Sequence, residues 1–287
     1  MRKEAIILQG KDLSQQINRN IKEQLDMITA KKPALCAIQI GNDPSSSLYL
    51  KTKKRACEKL GMTFVLRHFS ADESEKVIIN AIDQLNQNSD ISGILVQLPI
   101  PKQLNVNKIM SHIVPQKDVD GLNPINIGLM TRGDRRAIIP CTAKGIVKLL
   151  EHYDIQTAGK HVVVIGRSHI VGRPLATLLT TSQLHGQATV TLCHSQTANL
   201  KEHTKHADIV VCSVGKEDVL KKDDLKPGSV VIDVGINTTK DGKLTGDVNT
   251  NGFDGYLHGY SPVPGGVGPM TVACLMENIF YAWQGQQ

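Results

Sequence analysis

The stretch HVVVIGRSHIVGRP, residues 161–174, decides the fold of this chain. An apolar run ends at Gly166, and a helix is predicted from Gly172, with Pro174 suited to its first turn. A strand, a tight glycine turn and a helix in this order are typical of a dinucleotide-binding loop, where amides at the helix start face a pyrophosphate. The match to G-x-G-x-x-G is imperfect, because Ser168 replaces the second glycine and Gly172 comes one residue late. An ordinary βα turn therefore stays an alternative interpretation.

The next predicted strand, residues 188–193, indicates which dinucleotide this loop would bind. No acidic residue occurs between Gly166 and Glu202. NAD usually requires a carboxylate at this strand end, where it holds the ribose 2′-hydroxyl. Ser195 can instead hydrogen-bond a 2′-phosphate and Arg167 can neutralise it, which favours NADP. The alternative is that Arg167 is an ordinary surface residue and Ser195 only caps a turn.

Strands and helices alternate along the whole chain, which predicts an α/β fold of parallel sheets with helices on their faces. Apolar runs predict strands over residues 34–40, 63–68, 91–98, 161–165, 188–193, 208–214 and 229–234. Helical spacing of apolar residues predicts helices over residues 12–30, 48–60, 74–86, 106–112, 143–152, 172–180 and 270–283.

The length of 287 residues predicts two domains. We place the first over residues 1–141 and a Rossmann-type domain over residues 142–269, with a cleft between them. The final segment, residues 270–287, joins the first domain. The stretch 115–140 is rich in Gly, Pro, Asn and Asp, so it is predicted to connect the domains without a core element. Ser45 to Ser47 are predicted to cap the helix that follows them.

The composition excludes several classes of protein. The formal net charge is +6, but the basic residues are dispersed and form no patch with aromatic residues, so no nucleic-acid partner is predicted. No apolar run reaches about 18 residues, so no membrane span is expected. The six cysteines form no C-x-x-C pair, which predicts reduced thiols, no metal site and a cytoplasmic location. We expect activity to survive a chelator and a mild reductant.

Polar residues in the first domain form a candidate chemical site. Tyr49 and Lys53 are four apart on a predicted helix and share a face. Gln97 ends an apolar strand, and ligands of parallel α/β sheets bind beyond such strand ends. Asp118 and Asp120 bring two carboxylates into the connector. Each feature alone is also compatible with an exposed helix face, an exposed strand end or a simple turn. The Tyr-x-x-x-Lys pair of short-chain dehydrogenases follows the cofactor loop, whereas here it precedes the loop.

Taken together, these motifs resemble the bifunctional methylenetetrahydrofolate dehydrogenase/cyclohydrolase family from about residue 8 to residue 284. The motifs that carry the resemblance, in family order, are Tyr49-x-x-x-Lys53, Val96-Gln97-Leu98-Pro99, Lys117-Asp118-Val119-Asp120-Gly121, Pro140-Cys141-Thr142, Gly166-Arg167-Ser168 with Val171-Gly172-Arg173-Pro174, Asp233-Val234-Gly235-Ile236-Asn237, Gly246-Asp247-Val248 and Pro262-Val263-Pro264-Gly265-Gly266-Val267-Gly268-Pro269-Met270-Thr271. Three residues depart from the family pattern, and none is a proposed catalytic position: Ala143, Glu217 and Ser261.

The resemblance implies NADP-dependent oxidation of 5,10-methylenetetrahydrofolate to the 5,10-methenyl form, followed by hydrolysis to 10-formyltetrahydrofolate. By the same resemblance, Lys53 is the catalytic lysine, and Gln97 is its hydrogen-bonding partner. Tyr49 lies against the aminobenzoate ring of the folate, and Asp120 anchors the pterin. The resemblance further implies a homodimer. It assigns cofactor binding to Gly166, Arg167, Ser168, Ser195 and Ile236, and substrate binding also to Pro264, Gly265 and Gly266.

Two other functions are weighed against this one. The first is a dehydrogenase of another family with an N-terminal substrate domain, such as one that resembles shikimate dehydrogenase. It would give no role to Tyr49, Gln97 or the Pro-Gly-Gly-Val-Gly-Pro segment. The second is a catalytically silent NADP-binding sensor, which would tolerate the loss of Lys53 and Asp120. An assay of NADPH formation from methylenetetrahydrofolate separates these hypotheses.

Overall fold

A computed structural model describes residues 4–29, 31–181, 186–239 and 241–286. The chain divides into two compact units. We call the first the three-stranded unit; it consists of Gln16–Leu129, Arg136–Cys141 and the chain from Val272 on. We call the second the six-stranded unit; it consists of the chain up to Gln15, Met130–Arg135 and Thr142–Thr271.

Every predicted helix and strand is present in the predicted order, and further short elements lie before and between them. In chain order they are β1 Ile6–Ile7, α1 Lys11–Asp26, β2 Ala34–Ile40, α2 Pro44–Leu60, β3 Thr63–Phe69, α3 Glu75–Gln87, β4 Gly93–Val96, α4 Val106–Ser111, α5 Pro124–Thr131, α6 Cys141–His152, β5 His161–Ile165, α7 Gly172–Thr180, β6 Thr189–Cys193, α8 Leu200–Thr204, β7 Ile209–Cys212, β8 Val230–Asp233, β9 Asn237–Thr238, β10 Leu244–Thr245, β11 Gly259–Tyr260 and α9 Val267–Gln284. Short 3-10 helices cover Pro115–Lys117 and Lys222–Asp224.

The sheet of the three-stranded unit is parallel, in the order β3-β2-β4. Every residue of β2 is buried, because strands pair with it on both sides and helices cover its faces. Ile78 and Ile82 of α3 pack with Ile38 and Ile94 in one apolar core. Since β2 lies between β3 and β4, the strand order reverses beside it, and ligands of open α/β sheets bind at such a point.

The sheet of the six-stranded unit is also parallel, in the order β1-β11-β8-β7-β5-β6. Its core contains Val163, Val210 and Val231 from the three central strands. Because β5 lies between β6 and β7, the order reverses there, as in doubly wound nucleotide-binding folds. The predicted α/β class is confirmed. The short strands β1 and β11 were not predicted, since two residues carry no readable periodicity.

Two predictions about local structure are wrong for the same reason. Helix α2 begins at Pro44 instead of residue 48, and its N-cap is Asp43, whose carboxylate accepts the Ser46 amide at 2.8 Å. The stretch 115–140 is not a simple connector, because it contains α5. There Asn123 accepts the Ile125 amide at 2.7 Å, directly before Pro124. In both places an Asx-Pro pair that reads as a turn is the N-cap and first residue of a helix.

Candidate active site

Lys53 and Gln97 meet at the carboxyl edge of the three-stranded sheet. Helix α2 follows β2 and carries Lys53, and Gln97 directly follows β4. The Lys53 Nζ donates to the Gln97 Oε1 at 2.8 Å, so the hydrogen bond that the sequence predicts is present. The Gln97 Nε2 donates to the carbonyl of Leu98 at 2.7 Å, which fixes the orientation of the amide. Gln97 is buried and Lys53 is half-buried, so the pair is partly shielded from water.

The first turn of α2 is fastened to this edge by two serines. The Ser46 hydroxyl donates to the carbonyl of Leu98 at 3.3 Å, and the Gln39 amide donates to the Ser47 hydroxyl at 3.2 Å. Helix α2 is thereby held to the end of β2 and to the loop after β4. Tyr49 lies one turn before Lys53, with 39% of its surface exposed, and burial of the remainder raises the pKa of its phenol. Its ring thus presents a partly exposed aromatic surface beside the Lys53–Gln97 pair.

The two carboxylates of the Lys117–Gly121 motif differ in their surroundings. Asp118 is buried and accepts three hydrogen bonds, from the Leu122 amide at 3.2 Å, the Asn123 amide at 2.7 Å and the Asn126 side chain at 2.8 Å. Burial raises the pKa of Asp118 to about 6, although these hydrogen bonds oppose the shift. Asp118 therefore stabilises the turn, and the half-buried Asp120 is the carboxylate that a ligand can reach.

Lys117 has a structural role that the sequence did not reveal. Its buried ammonium donates to three carbonyls at the end of α3, those of Leu85 at 3.0 Å, Asn86 at 2.8 Å and Asn88 at 2.8 Å. A cation at a helix C-terminus satisfies unpaired carbonyls and complements the helix dipole. Burial lowers the pKa of Lys117. The motif thus begins with an anchor to α3.

The turn that carries Asp120 is held beside β4 by its neighbours in the chain. A parallel bridge joins Asp118 to Ile94 of β4, so the chain runs with β4 toward the carboxyl edge and turns there. Asn278 of α9 donates to the carbonyl of Val119 at 2.9 Å and to that of Ile139 at 3.0 Å, which holds the turn from its other side. No pattern in the sequence pointed to Asn278, because an Asn in a helix has no characteristic spacing.

The cofactor loop of the six-stranded unit depends on its two glycines. Gly166 has φ +110°, and a Cβ there would lie 2.3 Å from the carbonyl oxygen of Ser213. A Cβ on Gly172 would lie 1.8 Å from the carbonyl oxygen of Gly166. The Ser168 hydroxyl accepts the Val171 amide at 3.1 Å, and the Ser168 carbonyl accepts the Arg173 amide at 3.1 Å. The sequence predicts that the amides at the start of α7 are open to a ligand. This is wrong for the amides of Val171, just before the helix, and Arg173, in its first turn, because Ser168 already accepts both.

Arg167 and Ser195 follow two neighbouring strands that pair in register. Ile165 of β5 pairs with Cys193 of β6, and each of the two residues follows its strand by two positions. The turn after β6 is closed by the His194 amide, which donates to the Thr197 hydroxyl at 2.8 Å. Arg167 and Ser195 are both exposed, so both side chains are accessible to a ligand.

Exposed apolar side chains follow three strands of the same sheet. Ile236 follows β8 and is 47% exposed, Val214 follows β7 and is 41% exposed, and Ile170 lies in the loop after β5 and is 40% exposed. An exposed apolar side chain at a ligand-binding edge can cover a ring of the ligand. The family resemblance implies a role for Ile236 but none for Val214 or Ile170. The sequence of a loop does not show whether a single apolar side chain is exposed.

The Pro264–Gly266 segment is fixed by the chain that follows β1. The peptide bond between Val263 and Pro264 is cis. The amide of Gly10 donates to the carbonyl of Gly265 at 2.8 Å, and a Cβ on Gly10 would lie 2.0 Å from the carbonyl oxygen of Gly266. The structure thus places Gly265 and Gly266 against Gly10. No motif in the sequence pointed to a role for Gly10.

Two further observations concern metals and membranes. Within the described residues, no group of three or more His, Cys, Asp or Glu is arranged to hold a metal ion. All six cysteines are buried, and their thiols form no disulfide bond. Burial raises the pKa of the Cys57 thiol to about 12. Of the helices in the described part of the chain, none is long and apolar enough to span a membrane.

Comparison with known proteins identifies the family. The model for the catalytic domain of tetrahydrofolate dehydrogenase/cyclohydrolase matches residues 8–120, and the model for its NAD(P)-binding domain matches residues 140–287. "Bifunctional protein FolD" of Lactobacillus delbrueckii subsp. bulgaricus is 45% identical over 275 residues, which cover 95% of this chain and 95% of the relative.

Solved structures agree with this result. Bifunctional enzyme FolD from Campylobacter jejuni is 38% identical, with a TM-score of 0.94, over 99% of this chain and 100% of that chain. The Trypanosoma brucei dehydrogenase-cyclohydrolase, solved with NADP cofactor and inhibitor, is 31% identical with a TM-score of 0.92, over 98% of each chain. Shikimate dehydrogenase from Aquifex aeolicus, at 17% identity and a TM-score of 0.53 over 90% of this chain and 95% of that chain, shares the fold alone. Since both domain models match and the relatives align over nearly the full length, the chain belongs to the tetrahydrofolate dehydrogenase/cyclohydrolase family and is an α/β enzyme with a catalytic and an NAD(P)-binding domain.

Proposed function

We propose that the enzyme oxidises 5,10-methylenetetrahydrofolate to 5,10-methenyltetrahydrofolate with NADP and then hydrolyses the product to 10-formyltetrahydrofolate. The observation that carries this proposal is the 2.8 Å hydrogen bond between the Lys53 amine and the Gln97 carbonyl oxygen. An oriented amine at the carboxyl edge of a parallel sheet is suited to proton transfer to and from a bound substrate.

The residues around this pair suit a folate. The exposed part of the Tyr49 ring offers a surface for the aminobenzoate ring, and the Asp120 carboxylate can accept hydrogen bonds from the pterin nitrogens. Asp118 and Lys117 hold the turn that carries Asp120, so the pterin anchor is preorganised. Pro264, Gly265 and Gly266 are proposed to contact the same substrate.

NADP fits the edge of the six-stranded sheet. A side chain at Gly166 is excluded by Ser213, which leaves the loop backbone open to close approach by a pyrophosphate. Arg167 and Ser195 are exposed at adjacent strand ends and can bind a 2′-phosphate, while Ile236 offers an apolar surface. When bound, the cofactor accepts the hydride that leaves the methylene carbon. The residues of the chain bind and orient both ligands for that transfer.

Hydrolysis of the methenyl cation is assigned to Lys53. Water attacks the cationic carbon, and the Lys53 amine accepts the proton that the water loses. The proton then passes to N5 of the folate as the bond between N5 and the one-carbon unit breaks. The hydroxyl of the carbinol intermediate releases its own proton to solvent, which leaves the formyl group on N10. Gln97 keeps one N–H of the amine engaged, so the amine faces the substrate during both transfers.

Three coarser assignments accompany this function. Residues 1–141 with 270–287 are proposed to bind folate, and residues 142–269 to bind NADP. A homodimer is expected from the family, and sedimentation velocity on the full chain would test it against a monomer. A cytoplasmic location is in keeping with six buried cysteine thiols, since reduced thiols persist there.

One assay tests the proposed function. Purified protein with methylenetetrahydrofolate and NADP should form NADPH, and added methenyltetrahydrofolate should lose its absorbance faster than in buffer. Shikimate replaces the folate in the control reaction and should give no NADPH. Absence of both folate activities in correctly folded protein, or NADPH formation from shikimate, would contradict the proposal.

A further inference from the structure

Two buried aspartates organise the loops at the carboxyl edge of the six-stranded sheet. Asp233 and Asp247 are 3% and 0% exposed, so neither carboxylate is directly available to a ligand. Asp233 is the last residue of β8, and Asp247 lies after the β9–β10 hairpin. The family motifs contain both residues, yet the proposed function assigns neither of them a role.

Asp247 binds the loop that follows β7. Its Oδ2 accepts the backbone amides of Val214 at 2.7 Å and Gly215 at 3.1 Å, and its Oδ1 accepts the amide of Lys216 at 3.0 Å. Consecutive backbone amides that converge on one anion form a nest, which in other proteins binds phosphate. Here the side chain of the protein itself fills the nest, so the loop is fixed without a ligand.

The same carboxylate also fixes the segment after β8. Asn237 donates through its Nδ2 to the Asp247 Oδ1 at 2.9 Å and to the carbonyl of Gly246 at 3.0 Å. Asp247 is held in turn by Asp233, whose Oδ1 accepts the Asp247 amide at 2.9 Å. Gly235 packs directly against the carboxylate, because a Cβ there would lie 2.0 Å from the Asp247 Oδ1.

The loops that Asp247 joins carry the exposed apolar side chains of this edge. Val214 donates its amide to Asp247 and leaves its side chain 41% exposed, and Ile236 immediately precedes Asn237 with 47% of its surface exposed. Ser213, one residue before Val214, packs against Gly166 of the cofactor loop. The loop after β7 therefore borders the point where the strand order reverses, which is where a dinucleotide binds.

We propose that Asp247 is a positioning residue for NADP: its carboxylate fixes the loop after β7 and Asn237 together, so that Val214 and Ile236 form one apolar surface for a ring of the cofactor. This inference rests on the proposed function, because it takes NADP as the ligand of this edge. Asp247 does not touch the cofactor, and it acts through the two loops.

The test is direct NADP binding to the Asp247→Asn variant of the full chain, measured by calorimetry. Each oxygen of the Asp247 carboxylate accepts two hydrogen bonds. In the asparagine an NH2 group replaces one oxygen and cannot accept, so two of these four hydrogen bonds are lost. We expect the dissociation constant for NADP to rise about tenfold or more. Cyclohydrolase activity without cofactor should stay within about twofold of wild type, since Lys53 and Gln97 lie in the three-stranded unit.

Asp224→Asn is the matched control. Asp224 is a buried aspartate of the same unit that accepts the Lys221 amide at 3.1 Å and pairs with Lys201 at 2.8 Å. It precedes β8, at the opposite end of the strand from Ile236. This control should lower the melting temperature without weakening NADP. Val214→Ala is a second variant on an exposed side chain, and it should weaken NADP at wild-type stability.

The outcomes separate the inference from the proposed function. Wild-type protein that binds no NADP would overturn both. Wild-type NADP affinity in Asp247→Asn would overturn the positioning role alone, as would a parallel loss of NADP affinity and cyclohydrolase activity, since that indicates general destabilisation. If Asp247→Asn does not fold, Val214→Ala decides, and unchanged NADP affinity there overturns the inference.

Discussion

The carboxyl edges of the two sheets use different parts of the chain. At the three-stranded sheet, the groups that we propose to face a ligand are side chains, namely the amine of Lys53, the amide of Gln97 and the ring of Tyr49. At the six-stranded sheet, the central feature is backbone geometry, with Gly166 and Gly172 excluding any side chain. The first arrangement is suited to proton transfer and the second to close approach of a phosphate.

This difference predicts which kinetic constant a substitution changes at each edge. A change at the three-stranded edge removes a reacting group, so it should lower kcat of the hydrolytic step. A change at the six-stranded edge alters a binding surface, so it should raise the KM for NADP. Both edges also contain buried aspartates, Asp118 in one unit and Asp233 in the other, which hold loops through backbone amides. The two edges thus differ in their exposed groups, but buried aspartates stabilise the loops at both.

The largest effect is expected for Lys53→Met. Methionine keeps the length and apolar stem but removes the amine, so cyclohydrolase activity should fall by ~10²–10⁴-fold. Some dehydrogenase activity and folate binding should persist, because hydride transfer needs mainly positioning of the two reactants. Lys51→Met, an exposed lysine on the same helix, is the control and should leave both rates unchanged. Methenyl hydrolysis at the wild-type rate in Lys53→Met would refute the assigned chemistry.

Arg167→Ala comes next and tests the six-stranded edge. A charge-assisted contact with the 2′-phosphate contributes about 1.5–3 kcal/mol, so the KM for NADP should rise by a corresponding factor. The KM for NAD, which lacks this phosphate, should change little. Steady-state kinetics with both cofactors measure the difference. An equal loss for NAD and NADP would show that Arg167 does not read the phosphate.

Gln97→Ala should have a smaller effect than Lys53→Met. The amine remains but loses the acceptor that orients it at 2.8 Å, so we expect roughly tenfold slower hydrolysis with unchanged NADP affinity. Gln103→Ala removes an exposed glutamine from the same unit and serves as the control. Cyclohydrolase kinetics and NADP titration measure both quantities. Loss of NADP affinity in Gln97→Ala would contradict the prediction that the two edges act separately in hydrolysis and in NADP binding.

The smallest effect on the two activities concerns the buried aspartate of the three-stranded unit, which makes stability depend on pH. Burial raises the pKa of Asp118 from 3.8 to about 6, so between these values the folded chain holds a proton that the unfolded chain releases. The free energy of unfolding should therefore fall as pH rises through this window, by on the order of 1–3 kcal/mol from this group. Asp118→Asn does not titrate and should flatten that slope. Urea unfolding at several pH values measures it, and an unchanged slope would contradict the shift.

The sequence by itself determined the elements and the identity of the chemical groups. The mainly apolar run at residues 34–40, in which only Gln39 is polar, predicts β2 with the observed bounds, because a strand buried on both faces leaves a nearly continuous apolar signal. Helix α7 was likewise predicted with its observed bounds, over residues 172–180. The hydrogen bond between Lys53 and Gln97 was implied by the family resemblance, and the structure shows it at the carboxyl edge of the sheet.

Only the tertiary structure decided which polar residues serve the fold and which are left for a ligand. Asp118 and Asp120 are equivalent in sequence, yet one is buried under three hydrogen-bond donors and the other is half-exposed. Asp247 finds its partners in the loop after β7, more than thirty positions earlier in the chain. Such contacts leave no local pattern, because a carboxylate binds whichever backbone amides the packed fold presents, whereas helices and strands follow from the periodicity of the chain itself.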